Sequence, residues 1–202
     1  MPRRGGGRRR FRGGFVVALV AAVAVTGCAS TKPAPETSSE VPDLVALREH
    51  YGLPDCPATD ADADPVDGGL PRTALPCLGS DAVVNLAGLP RTPMVVNLWA
   101  QWCAPCREES PFLREASKKH DDIAFLGINY NDPKPDWALE FASVAGWDYP
   151  HVQDADKELR SALNIPGIPM TLFVDERGKI VYKHPGVLQS AAQLEQLIKE
   201  HL

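Results

Sequence analysis

The chain of 202 residues holds five cysteines, at positions 28, 56, 77, 103 and 106. Two of them, Cys103 and Cys106, are separated by two residues in Trp99-Ala100-Gln101-Trp102-Cys103-Ala104-Pro105-Cys106. The apolar run Met94–Ala100 before them reads as a buried strand, and Ala104–His120 after them as a helix. The pair therefore sits where a strand hands over to a helix. A helix N-terminus carries roughly half a positive charge and free N–H groups, which stabilise a thiolate placed there. The thiolate is the nucleophile of thiol–disulfide exchange, and CxxC thiols at such positions have lowered pKa values. Residues i and i+3 share a helix face, so Cys106 lies beside Cys103 and can attack a mixed disulfide formed there. Pro105 lacks an N–H, which loses nothing in a first helical turn.

A CxxC pair can instead be half of a zinc site. Zinc would need two further soft ligands, and the chain has no second CxxC and no HxxxH pair. Only Cys56 and Cys77 remain as soft candidates. A purely structural disulfide is the other competing use. The strand-to-helix setting favours redox chemistry over both. No metal and no organic cofactor is then expected, because the Cys103–Cys106 pair carries the electrons.

Such a pair needs a sheet and a helix to hold it. Val83–Leu86, Met94–Ala100 and Ile123–Asn129 read as strands. Asp136–Ala145 reads as a helix with Trp137, Phe141 and Val144 on one face, and Asp156–Leu163 as a shorter one. Thr171–Asp175 and Lys179–His184 form a hairpin turned by Glu176-Arg177-Gly178. Ser190 caps a last helix that runs to His201. Upstream, Asp43–Tyr51 is a short amphipathic helix, and residues 52–80 are rich in Pro, Asp and Gly. Strand–helix–strand implies a parallel crossover, and the hairpin an antiparallel end. The expected fold class is α/β: a mixed central sheet with helices on both faces, preceded by an N-terminal extension.

Charge is unevenly placed. Six of the 21 basic residues lie in residues 1–27, which hold no acid, leaving 15 against 26 acidic residues. A body that acidic is a poor nucleic-acid binder. Basic, Gly-rich residues 1–14 are followed by an apolar run of eleven, Phe15–Val25, and then by Val25-Thr26-Gly27-Cys28. This is the layout of an export signal. At 1.5 Å per residue the run spans roughly 16 Å, too short for a bilayer core of about 30 Å. The cleavage site resembles the lipobox of bacterial lipoproteins, which implies cleavage before Cys28 and a diacylglycerol on its sulfur. Arg8-Arg9-Arg10-Phe11 resembles a twin-arginine signal, from which Gly7 and Arg12 depart. Residues 29–40 are rich in Pro, Ser and Thr and read as a tether.

Trp102-Cys103-Ala104-Pro105-Cys106, with Asn97-Leu98-Trp99-Ala100 before it, resembles the thioredoxin superfamily, and more closely its exported, membrane-tethered TlpA/ResA-like group. Asn97 stands where cytoplasmic thioredoxins carry a buried Asp. Glu109 stands where the exported group carries a buried Glu, and Pro111 where the superfamily's helix bends. Ile165-Pro166-Gly167-Ile168-Pro169-Met170-Thr171 resembles the loop that carries the cis-proline. The resemblance runs from about residue 75 to residue 202, and implies a thioredoxin-like fold. It implies catalytic roles for Cys103, Cys106, Glu109 and Pro169. Glu109, three residues after Cys106 on the same helix face, can take the proton of that thiol. Pro169 leaves a bare edge where the backbone of Ile168 can pair with an extended substrate. Trp102 flanks the nucleophile and shapes an apolar contact surface, while Trp99 belongs to the core.

With Cys28 lipidated and the CxxC pair redox-active, Cys56 and Cys77 remain. Exported proteins keep disulfides, and a structural Cys56–Cys77 bridge is the natural pairing; a second redox relay is the alternative. Asp60, Asp62, Asp64 and Asp67 inside that loop suggest calcium only faintly. Pro65 and Pro71 occupy positions where an EF-hand needs Gly and an acid. The five histidines show no ligand spacing and read as surface or structural. The expected organisation is a lipoprotein signal (1–27), lipidated Cys28 and tether (28–40), an extension with Cys56 and Cys77 (41–80), and a thioredoxin-like domain (81–202). The expected function is that of an extracytoplasmic, membrane-anchored thiol–disulfide oxidoreductase acting on exported client proteins. The favoured direction is reductant, passing electrons from a membrane partner to oxidised client thiols such as apocytochrome c. The resemblance equally covers an oxidant that makes disulfides. A peroxiredoxin-type peroxidase would want a lone peroxidatic Cys, against which the close CxxC argues. A binding lipoprotein using the fold as scaffold would have no need of the dithiol.

Overall fold

The computed structural model describes residues 42–202; the expected export signal, lipidation site at Cys28 and tether lie outside the described residues. Five strands form the main sheet: β3 (Met94–Trp99), β4 (Ala124–Tyr130), β5 (His151–Asp154), β6 (Met170–Val174) and β7 (Ile180–Pro185). A separate pair, β1 (Ala74–Pro76) and β2 (Val83–Asn85), runs antiparallel. The sheet order is β5-β4-β3-β6-β7. β3, β4 and β5 are parallel, while β6 and β7 run antiparallel to their neighbours. The mixed sheet expected from the order of elements is therefore present. β3 is its central strand, and every residue of β3 is buried, as its unbroken apolar character demands.

Alternate residues of the strands feed two cores. One lies under the helices α2 (Ala104–Lys119), α3 (Pro135–Ala145) and α5 (Ala191–His201), with the short α1 (Leu44–His50) packed beside it. The other lies under the extension and the short α4 (Leu159–Ala162), and contains Leu70, Leu75, Val84 and Leu86. The extension is part of the packing: Leu53 and Leu78 enter the first core. Arg48 ties α1 to the extension by donating to the carbonyls of Gly79 (2.9 Å) and Leu53 (3.0 Å). Leu78 N–H donates to the His151 carbonyl at the edge of the sheet (2.8 Å).

Some sequence expectations change. On α3 the residues that face the core are Ala138, Leu139, Ala142 and Ala145. Trp137 and Val144 are exposed instead, while Phe141 is partly buried against the first core. The helix expected over Asp156–Leu163 shrinks to α4. Its start is delayed by Lys157 in the left-handed region. The Asp154 carboxylate accepts from Glu158 N–H (2.7 Å) and Leu159 N–H (3.1 Å) there. β1 and β5 carry too little apolar pattern to be read in advance. The acidic loop is engaged by Arg72, which pairs with Asp62 and Asp64.

Candidate active site

Cys103 is the N-cap of α2, and its sulfur accepts from the backbone N–H of Cys106 at 3.2 Å. Pro105 lies in the first turn. Lys118 and Lys119 in the last turn complement the negative helix end. Cys103 and Cys106 are joined in a disulfide, Cα atoms 5.3 Å apart, and both are buried, Cys106 completely and Cys103 with 4% of its surface exposed. The face of α2 turned inward consists of Cys106, Glu109, Ser110, Leu113 and Ala116. Pro111 has no N–H for the Arg107 carbonyl, four residues back. The Ser110 hydroxyl donates to that carbonyl instead (2.9 Å).

Glu109 is fully buried, unlike its neighbours Arg107 and Glu108. Its Oε1 accepts from Asn97 Nδ2 (3.0 Å) and its Oε2 from Leu188 N–H (2.8 Å). Burial pushes its pKa up to about 7, against the pull of the Leu188 and Asn97 hydrogen bonds. An Asp at position 97 would set two carboxyls against each other. The Asn amide serves either state, donating through Nδ2 to the carboxylate or, turned over, accepting through Oδ1 from the acid. A carboxyl with a pKa near neutrality, one turn from a buried thiol, has the properties of a general base for that thiol.

The loop leading to Cys103 is held by Asp132, which sequence reasoning missed. Its carboxylate accepts from Gln101 N–H (2.8 Å), Asn129 Nδ2 (3.0 Å) and Lys134 N–H (3.1 Å). Trp102 donates through Nε1 to the Asn131 carbonyl (3.1 Å) and leaves 49% of its surface exposed beside the dithiol. The only advance signal for this clamp is an Asp two residues before Lys134, a local turn spacing common in loops. Trp99 is wholly buried and packs edge-on against Trp147.

Ile168–Pro169 is a cis peptide. Neither backbone group of Ile168 takes part in a turn, loop or cap hydrogen bond among the described residues. Cys56 and Cys77 are joined in a second disulfide, Cα atoms 5.9 Å apart. Cys77 bridges to Val152 at the sheet edge, and the pair lies along β5 rather than at the start of α2.

The sequence profile of the Redoxin family matches residues 57–198, a span that takes in the Cys103–Cys106 disulfide, Cys77, Glu109 and Pro169. The chain belongs to the Redoxin family. It is 32% identical over 135 residues to the thiol:disulfide interchange protein DsbE of Pseudomonas fluorescens, covering 65% of this chain and 73% of that protein. Against the thiol:disulfide interchange protein HelX of Rhodobacter capsulatus it is 35% identical, covering 58% and 66%. Among solved structures, a DsbF homologue from Corynebacterium diphtheriae superposes with a TM-score of 0.58 at 27% identity. That match covers 74% of this chain and 94% of the other. This Redoxin-family chain is a thiol–disulfide oxidoreductase with a thioredoxin-like fold.

Proposed function

We propose that this protein exchanges disulfides with exported client proteins, tethered outside the cytoplasm by a lipid on Cys28, and that it works as a reductant. The observation that carries the mechanism is the buried Glu109, with its pKa near 7, three residues after Cys106 on α2. In the reduced protein the Cys103 thiolate, favoured by the helix N-terminus, attacks a client disulfide. One client thiolate leaves, and a Cys103–client mixed disulfide forms. Cys106 then gives its proton to Glu109 and attacks Cys103. The second client thiolate leaves, and the Cys103–Cys106 disulfide closes. Two electrons have passed to the client, and no organic cofactor is called for.

The exposed Trp102 and the free backbone of Ile168 beside Pro169 suit an extended client segment added as a strand. Oxidised apocytochrome c thiols before haem attachment are the client class this reading favours, with electrons supplied by a membrane partner. The Cys106→Ser variant tests the chemistry. It traps clients on Cys103 as mixed disulfides, and their absence under mild oxidation contradicts the two-cysteine mechanism. The reduction potential tests direction. A value near that of thioredoxin, about −270 mV, supports a reductant; one approaching that of DsbA, about −120 mV, makes it an oxidant.

A further inference from the structure

Glu109 gains and loses a proton in every cycle of that reading, yet it is sealed from solvent. It faces the sheet through Asn97. Asn97 stands in a row across five strands: His184 on β7, Thr171 on β6, Asn97 on β3, Gly127 on β4 and His151 on β5 are directly opposite one another. Gly127 forms a notch in this row. A Cβ there would lie 2.6 Å from His151 Cε1 and 2.8 Å from Trp99 Nε1, and would collide with His151 Nδ1. The imidazole therefore reaches across β4 toward Asn97. It packs in the aromatic cluster of Trp99, Trp147 and Tyr149, under the same helices as Glu109.

Seven polar atoms on this face are buried without a hydrogen-bond partner among the described residues. They are Asn97 Oδ1, Trp99 Nε1, Asn129 Oδ1, Tyr149 OH, Thr171 Oγ1 and both ring nitrogens of His151. Buried polar groups are seldom left orphaned. A cluster of convergent donors and acceptors is the setting in which proteins hold buried water. The titratable groups facing the row are Cys106 and Glu109 from α2, Tyr149 from the segment before β5, and the partly buried His184 of β7, opposite Thr171. Asp148 beside Tyr149 is exposed and accepts from the Ser117 hydroxyl, Tyr130 of β4 belongs to the other core, and Cys56 and Cys77 of the extension are closed in a disulfide. Tyr149 also lines a surface cavity of about 480 Å³ beside Pro54, Leu89 and Pro150.

We propose that this row is a proton relay for Glu109, with water as the ligand of the orphaned atoms and His151, seated over Gly127, as its positioning residue. The proposal rests on the proton role assigned to Glu109 above. One proton leaves Cys106 Sγ for Glu109. It then passes along bound water by His151 toward the Tyr149 side, each water giving one proton as it receives one. Burial holds the His151 pKa down at about 3, so the ring stays neutral throughout.

Side-chain 15N NMR of the reduced full chain tests this without any variant. The His151 ring nitrogens remain neutral, and their shifts move with a midpoint near 7, that of Glu109; in Glu109→Gln the movement vanishes. His151→Phe moves the Glu109 midpoint, read from its carboxyl infrared band, by at least half a pH unit. The pH profile of exchange moves with it, and His151→Gln restores part of the difference. Ring resonances of the wild type that stay flat from pH 6 to 8 overturn the relay. So does a folded His151→Phe protein with an unmoved Glu109 midpoint. If Glu109→Gln keeps the wild-type pH profile, the role of Glu109 itself falls. If that profile changes while His151 ignores it, only the relay falls.

Discussion

The two disulfides of this chain sit in surroundings of opposite electrical character. Cys103 caps α2 and receives a backbone N–H at its sulfur, so the thiolate formed on reduction is stabilised. At the other bridge, the Cys77 sulfur lies 3.5 Å from a carboxylate oxygen of Asp55, and Cys56 lies 3.3 Å from the His151 carbonyl oxygen. Oxygens bearing negative charge disfavour a thiolate there. The first pair spans three residues and has Glu109 beside it. The second spans 21 residues and joins two segments of the extension. The same bond serves as a reaction centre in one place and a staple in the other, and its neighbours decide which.

The sharpest way to break this contrast is to remove cysteines from each bridge in turn. Cys103→Ala abolishes exchange, a loss of about a thousandfold or more in a disulfide-reduction assay, because no other thiolate is activated. Glu109→Gln comes next. It slows the Cys106-dependent step about a hundredfold near pH 7, within the range of a lost general base, and removes its inflection near pH 7.

Stability moves the other way in that variant. Glu109 holds its proton more tightly folded than unfolded, so its contribution is full below pH 4.5 and is lost as pH rises through about 7. Glu109→Gln is therefore more stable than wild type above pH 7, by up to about 3 kcal/mol, and gains little below pH 4.5. His151 has the opposite sign. Its depressed pKa contributes stability that is present above pH 6.5 and lost as pH falls toward about 3. Denaturant unfolding of the wild type across pH 3–8 should show a plateau between roughly pH 4.5 and 6.5, where the two slopes offset each other.

Asp132→Ala frees the loop that carries Trp102, lowering exchange about tenfold through misplacement of the site. Thermal unfolding reads the accompanying loss of its three hydrogen bonds. The smallest effect on exchange belongs to the Cys56→Ala, Cys77→Ala protein. Its exchange rate stays within about twofold of wild type, while stability falls by about 3 kcal/mol.

How much of this was legible in the sequence differs between the two regions. The strand, the CxxC and the helix of the reaction centre announce themselves, because a fully buried strand reads as an apolar run and a helix start has its own residue types. The sheet and its antiparallel hairpin were readable on the same grounds. The burial of Glu109 was not readable from spacing alone, since Glu108 and Glu109 look alike in sequence; the family resemblance pointed to it. The Asp132 clamp and the seat of His151 over Gly127 depend on contacts between strands far apart in the chain. So does the docking of the extension along β5, a strand of four residues, His151–Asp154, with too little apolar pattern to predict.

The most direct test equilibrates the protein in a series of glutathione and dithiothreitol redox buffers. Differential alkylation and mass spectrometry then count free thiols at each of the four cysteines. The account predicts that Cys103 and Cys106 titrate together, while Cys56 and Cys77 stay joined until the buffer is poised below about −300 mV, as structural disulfides do. Reduction of Cys56 and Cys77 together with, or ahead of, the CxxC pair would contradict it.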